Sequence, residues 1–160
     1  MKDEIKIRGA DHGDSAALAQ FNIDMAWETE GIKLERDTIS EGVKNLIARP
    51  DRGFYLVAES EQKIVASLMV THEWSDWRNG LFWWIQSVYV VPDFRQQGLY
   101  RRLYESVKAK AAQDESVIGF RLYVEQDNKI AQTTYIRCGM HETVYKMFEE
   151  MIAPSLDTVG

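Results

Sequence analysis

Apolar positions change their period several times along this chain, and each change predicts an element. Ile5-Lys6-Ile7-Arg8 alternates with the two-residue period of a strand. Leu18, Phe21 and Met25 share one helical face, with Asp14-Ser15 as the start signal and Glu30-Gly31 at the end. Thr38-Ile39-Ser40-Glu41 reads as a capping box for a second helix carrying Val43, Leu46 and Ile47, which Pro50 stops. Strands are predicted over Phe54–Glu59, Ile64–Glu73 and Leu81–Val91. Glu61-Gln62 separates the first two, and Arg78-Asn79-Gly80, with its Asn-Gly hairpin signal, separates the last two. Leu99, Leu103, Val107 and Ala111 recur every fourth residue and predict a third helix. A strand near Phe120–Glu125, a helix from about Asn128 to Arg137 and a last strand near Thr143–Phe148 complete the order βααβββαβαβ. The tail from Met151 to Gly160 is too short and polar to predict another strand.

Composition narrows the class. With 160 residues, 45% hydrophobic and 28% charged, the chain can bury one substantial core but hardly two, so one domain is expected over 1–150, followed by the short tail 151–160. No apolar run reaches transmembrane length, and the start M-K-D-E-I-K-I-R has no apolar signal core. A cytoplasmic protein without membrane attachment is therefore expected. The lone Cys138 cannot form an internal disulfide and reads as a packing residue at a helix end. A net charge of −6 argues against nucleic acid as a partner and is compatible with a cationic amine substrate.

The stretch V-Y-V-V-P-D-F-R-Q-Q-G-L-Y-R-R-L-Y, Val88 to Tyr104, carries the strongest chemical signal. An apolar strand runs through a proline turn into a glycine-centred loop that opens a helix. Free backbone N–H groups at the positive end of a helix dipole suit an anion such as a pyrophosphate. Arg95, Arg101 and Arg102 oppose that dipole unless a ligand supplies negative charge, although such arginines are often only a solvated face. Gly98 lacks the following Lys-Ser/Thr of a P-loop and the triple glycine of a dinucleotide fold, which weakens the reading as an unrelated nucleotide-phosphate module.

Arg95-Gln96-Gln97-Gly98-Leu99-Tyr100, preceded by Val90-Val91-Pro92, resembles the Arg/Gln-x-x-Gly-x-Gly/Ala signature of the GNAT superfamily of N-acetyltransferases. Asn128, Ala131, Tyr135 and Gly139-Met140 resemble that family's second block, in the right order and at about the right distance. The resemblance implies an α/β (α+β) fold, a mixed, mainly antiparallel sheet with helices on both faces, and acetyl-CoA as cosubstrate for a primary amine. It also implies that the fourth and fifth strands diverge and admit the pantetheine arm, paired by the backbones of Val88 and Val90. The Val88 N–H would then polarise the acetyl carbonyl. Arg95, Gln96, Gln97, Gly98, Leu99, Tyr100 and Arg101 would surround the pyrophosphate, Asn128 would meet the pantetheine amides, and Tyr135 would be the general acid. One departure is Tyr100, where the family has Gly or Ala, so its ring must point away from the phosphates.

A second departure concerns the general base. The fourth-strand positions that carry Glu or His in many relatives are Trp84 and Gln86 here, and neither takes a proton. Gln86 is expected to hold a water that passes the amine's proton to Glu73, Glu28 or Glu30. The missing acid also motivates an alternative reading, a non-catalytic acyl-CoA sensor or regulatory domain. Trp74, Trp77, Trp83 and Trp84 cluster around the Asn-Gly hairpin, as an aromatic acceptor pocket or as a sheet cap or homodimer contact would require. His72, Glu73 and Asp76 do not form a metal set, because adjacent strand residues face opposite ways.

Overall fold

The computed structural model describes residues 4–153. Five strands form one sheet in the order β1-β2-β3-β4-β5. They are β1 (Lys6–Gly9), β2 (Gly53–Ser60), β3 (Lys63–Ser75), β4 (Gly80–Val90) and β5 (Val117–Arg121). The first four are antiparallel, and β5 joins β4 in parallel after a helical crossover. The helices are α1 (Ser15–Glu30), α2 (Arg36–Ile47), α3 (Leu99–Ala111) and α4 (Lys129–Arg137). The α/β architecture with a mainly antiparallel sheet is the expected one.

The strand period of two sorts side chains onto two cores. Leu56, Ala58, Leu68, Val70, Trp83 and Ile85 meet the stripe Leu99, Leu103 and Val107 of α3 on one face. Tyr55 and Val57 meet Leu18 and Ala19 of α1 and Val43 of α2 on the other. Both hairpin turns fall where expected: Glu61 and Gln62 both have positive φ, the backbone of a two-residue primed turn, and Asn79 has φ 48°.

Four details differ from the sequence expectations. Helix α2 begins before the Thr38 box, because the Glu35 carboxylate accepts the N–H groups of Asp37 (3.1 Å) and Thr38 (2.7 Å) and the Thr38 hydroxyl besides. Asp14 stands at the start of α1 without capping it. Its carboxylate is taken by Arg8 (2.7 and 3.0 Å) and by the Asp11 N–H, in a short 3₁₀ turn. Strand β5 lies at Val117–Arg121, earlier than Phe120–Glu125, because its ladder is set by the first residues of β4, from Leu81 to Trp84. No strand forms over Thr143–Phe148; that segment has no ladder partner among the described residues. The tail expected over 151–160 lies mostly outside the described residues.

Candidate active site

The site begins with a fault in β4. Ser67 pairs with Tyr89 but Met69 pairs with Gln86, so Ser87 and Val88 together oppose Leu68, and Ser87 has φ 52°. Two residues against one is a β-bulge, which leaves a backbone group outside the ladder and bends the strand. The β4–β5 ladder stops at the Trp84–Arg121 pair, so Gln86–Val90 has no β5 partner. A gap of this kind offers unpaired backbone donors and acceptors to an extended, amide-bearing ligand. Val88 and Val90 both lie along it. The Val90 carbonyl accepts from Arg95 Nε at 2.8 Å.

Beyond β4, a 3₁₀ turn at Pro92–Phe94 leads to Gly98, the residue that precedes α3. Gly98 has φ +77°, a left-handed conformation that glycine adopts without strain, and open space lies where its Cβ would be. No side chain caps the helix. The first N–H groups of α3, from Leu99 onward, are therefore available to an anion. The Leu99 side chain itself is core. Arg101 lines a groove with Gly98, Arg102 and Ile7. Arg95 turns elsewhere: its guanidinium bonds Glu28 of α1 at 2.7 Å and lies over the Tyr89 ring, tying the loop to α1. Gln97 bonds the Asp93 carbonyl, and Gln96 takes a positive φ of 61° to turn the loop.

Helix α4 packs against the start of α3 through tyrosines. Tyr100 stacks parallel to Tyr104, with ring centroids 6.1 Å apart, and meets Tyr135 edge-on at 5.4 Å. The Tyr100 ring thus leaves the loop, and its hydroxyl is buried without a hydrogen-bond partner. Burial pushes the Tyr135 phenol above its ordinary value of 10, so it holds its proton at neutral pH. Asn128 caps α4 by accepting from the Ala131 N–H at 3.2 Å, seven residues before Tyr135 on the same face.

A polar strip crosses the sheet on the α1 side. Gln86 donates to the Thr71 hydroxyl at 2.6 Å, which leaves its amide oxygen to accept from water or an ammonium group. Glu73 accepts from Trp84 Nε1 at 2.6 Å and pairs with Arg121 at 2.8 Å, so both bonds hold its carboxylate in place. Glu28 bonds Tyr89 and Arg95. Glu30 lines a cleft with Glu125 and Asp127. The tryptophans do not converge on one pocket. Trp83 is buried against Phe54, Trp84 faces the opposite way toward Tyr123 at 6.2 Å, and Trp74 and Trp77 are exposed. Adjacent strand positions force that separation.

Comparison with known proteins agrees with this geometry. The family model described as Acetyltransferase (GNAT) family matches residues 18–140. This chain belongs to the GNAT acetyltransferase family. A solved possible acetyltransferase from Clostridium difficile 630 is 43% identical, with 94% of this chain and 99% of that one covered and a TM-score of 0.87. The aminoglycoside N-acetyltransferase AAC(6')-Iy in complex with CoA shares the fold at 13% identity and TM-score 0.77, over 96% of this chain and 98% of that one. A predicted acetyltransferase from Clostridium acetobutylicum with acetyl-CoA does so at 17% identity and TM-score 0.77, over 92% and 96% of the two chains. No curated protein matches. The chain is accordingly an N-acetyltransferase with acetyl-CoA as its cosubstrate.

Three features of this GNAT chain escape sequence reading. The Ser87 bulge has no local signal, because serine at positive φ follows from the strand's surroundings. Thr71 and Arg121 reach the site only through pairing, with Thr71 opposite Trp84 and Trp84 opposite Arg121. Arg121 also lies 3.7 Å from the Phe82 ring centroid, which fixes the guanidinium that holds Glu73.

Proposed function

We propose that this chain, acting as one catalytic domain over 1–150, acetylates the primary amine of a small cationic substrate in a ternary complex. The observation that carries the reading is the juxtaposition of the β4 segment that lacks a β5 partner with the uncapped start of α3. In this reading the backbones of Val88 and Val90 hold the pantetheine arm, with Asn128 beside its amides. The first N–H groups of α3 and Arg101 hold the pyrophosphate, flanked by the backbone of residues 95–98.

The neutral amine attacks the thioester carbonyl carbon, the C–N bond forms, and the Val88 N–H steadies the oxyanion. The C–S bond then breaks, and the sulfur takes the Tyr135 proton. The amine's proton leaves through a water on the Gln86 amide oxygen. Glu73 accepts from Trp84 on the same strip and, in this reading, receives the proton. Glu30, Glu125 and Asp127 at the cleft favour a cationic acceptor, as does the net charge of −6. The lone cysteine and the charge fit a cytoplasmic setting.

The reading is tested by calorimetry with acetyl-CoA and by thiol release against a panel of primary amines. Binding and amine-dependent release are expected, with a rate that climbs with pH as the amine loses its proton. Gln86→Glu, which places a true base on β4, should move that profile toward acid. Failure to bind acetyl-CoA would overturn the assignment, and an unmoved profile would remove Gln86 from the proton path.

A further inference from the structure

Tyr100, the departure from the glycine-loop signature, brings a large side chain to the junction of α3 and α4. Helix α4 has no buried residue of its own, and Cys138 and Met140, just past its end, pack against the main core. Its attachment is largely aromatic. Phe120 of β5 meets Tyr104 edge-on at 5.7 Å, Tyr104 stacks on Tyr100 at 6.1 Å, and Tyr100 meets Tyr135 edge-on at 5.4 Å. The row runs from the sheet to the proposed general acid, and Tyr100 is the link that touches it. Packing alone needs only a ring. Phenylalanine would fill the same place, yet the chain carries a phenol whose oxygen is buried and has no hydrogen-bond partner. Such a group costs free energy on folding that phenylalanine does not. A buried donor with no partner in the resting protein is free for an acceptor that forms during the reaction.

Tyr135 becomes that acceptor. When its phenol protonates the departing sulfur, the Tyr135 O–H bond breaks, the S–H bond forms and the negative charge passes to the Tyr135 oxygen. Burial there already disfavours a phenolate. We propose that Tyr100 is a positioning residue for this step: its ring fixes Tyr135 against α3, and its hydroxyl turns to donate a hydrogen bond to the Tyr135 oxygen as charge develops on it. The Tyr100 O–H bond stays intact throughout, and a proton from solvent returns to Tyr135 after CoA leaves. The role rests on Tyr135 as the proton donor of the proposed mechanism. Electrostatics fix the order of the two phenols. Burial pushes both up, and charge on Tyr135, Cys138 or Tyr104 pushes Tyr100 further, so Tyr135 parts with its proton while Tyr100 keeps its own.

Tyr100→Phe keeps both ring contacts and removes only the hydroxyl. Its urea midpoint should equal or exceed the parent's, because an unpartnered buried group is gone. The acetyl-CoA dissociation constant from calorimetry should stay the same. With acetyl-CoA and the amine of the panel that the parent acetylates fastest, kcat for thiol release should fall about 10-fold, the size of one hydrogen bond to a charged group. In a Tyr135→Phe background the same change should cost nothing further, since no charge then forms on that ring. If Tyr135→Phe is impaired while Tyr100→Phe keeps the parent's kcat, the acid stands and the proposal is overturned. An equal loss in both backgrounds, or a lower urea midpoint with weaker acetyl-CoA binding, overturns it as well and makes Tyr100 a packing residue. A Tyr135→Phe protein with the parent's kcat, or a parent that releases no thiol with any amine, removes the proposed mechanism itself, and the role of Tyr100 falls with it.

Discussion

The first turn of α2 and the first turn of α3 present the same free N–H groups and treat them in opposite ways. At α2 a carboxylate of the chain, Glu35, accepts from the Thr38 hydroxyl and from the N–H groups of Thr38 and Asp37, and these bonds hold it below the usual carboxylate range. At α3 the preceding residue is a left-handed glycine with no side chain to offer. The chain supplies its own anion at the start of α2 and offers none at the start of α3, where the proposed pyrophosphate site lies. Helix α4 lies between these cases: Asn128 caps it with a neutral amide that adds no charge to the site.

The largest effect should come from separating binding from chemistry. Tyr135→Phe keeps the ring contact with Tyr100 but removes the proton, so turnover should fall roughly 10²- to 10⁴-fold while the acetyl-CoA dissociation constant stays put. Steady-state kinetics beside calorimetry decides it. Equal losses in both would make Tyr135 a packing residue.

Turning the α3 start into a copy of α2's breaks the comparison directly. Gly98→Asp places a carboxylate at the helix end, and like-charge juxtaposition of several kcal/mol predicts about 100-fold weaker acetyl-CoA binding. Gly98→Asn tolerates the same left-handed backbone without the charge and should weaken binding much less. Equal affinities for the two variants would show that no anion sits there.

Smaller effects are expected where a carboxylate is structural. Asp14, gripped by Arg8, titrates below its usual 3.8. A depressed folded-state value means that its contribution is complete above pH 3.8 and is lost as pH falls through the lower folded value. Asp14→Asn should cost about 1–3 kcal/mol in urea unfolding at neutral pH. Below about pH 4 its stability should fall less steeply than the parent's. The smallest effect belongs to Glu35→Ala, which should lower the urea midpoint slightly and leave acetyl-CoA affinity unchanged. A change in affinity would mean that the two helix starts are not independent.

Local chemistry made much of this legible. The stripe Leu99, Leu103 and Val107 and the Asn79 hairpin predict their elements because helix and strand periods and turn residues are short-range properties. The loop Arg95–Tyr100 identified the family for the same reason, since a glycine, a strand before it and a helix after it are adjacent in sequence. Arg95 shows where such reading stops. Its charge marks the loop, but its contact is Glu28, sixty-seven residues away.

The sequence by itself determined the order of elements, the glycine-led start of α3 and the kind of ligand such a start can hold, because each depends on neighbours along the chain. Only the tertiary structure decided that Ser87 bulges, that the β5 ladder stops short of Gln86–Val90, that Glu73 is spoken for by Trp84 and Arg121, and that residues 143–148 find no ladder partner among the described residues. Those outcomes depend on which backbone groups from distant segments compete for the same partners, and that competition is resolved only when the sheet is assembled.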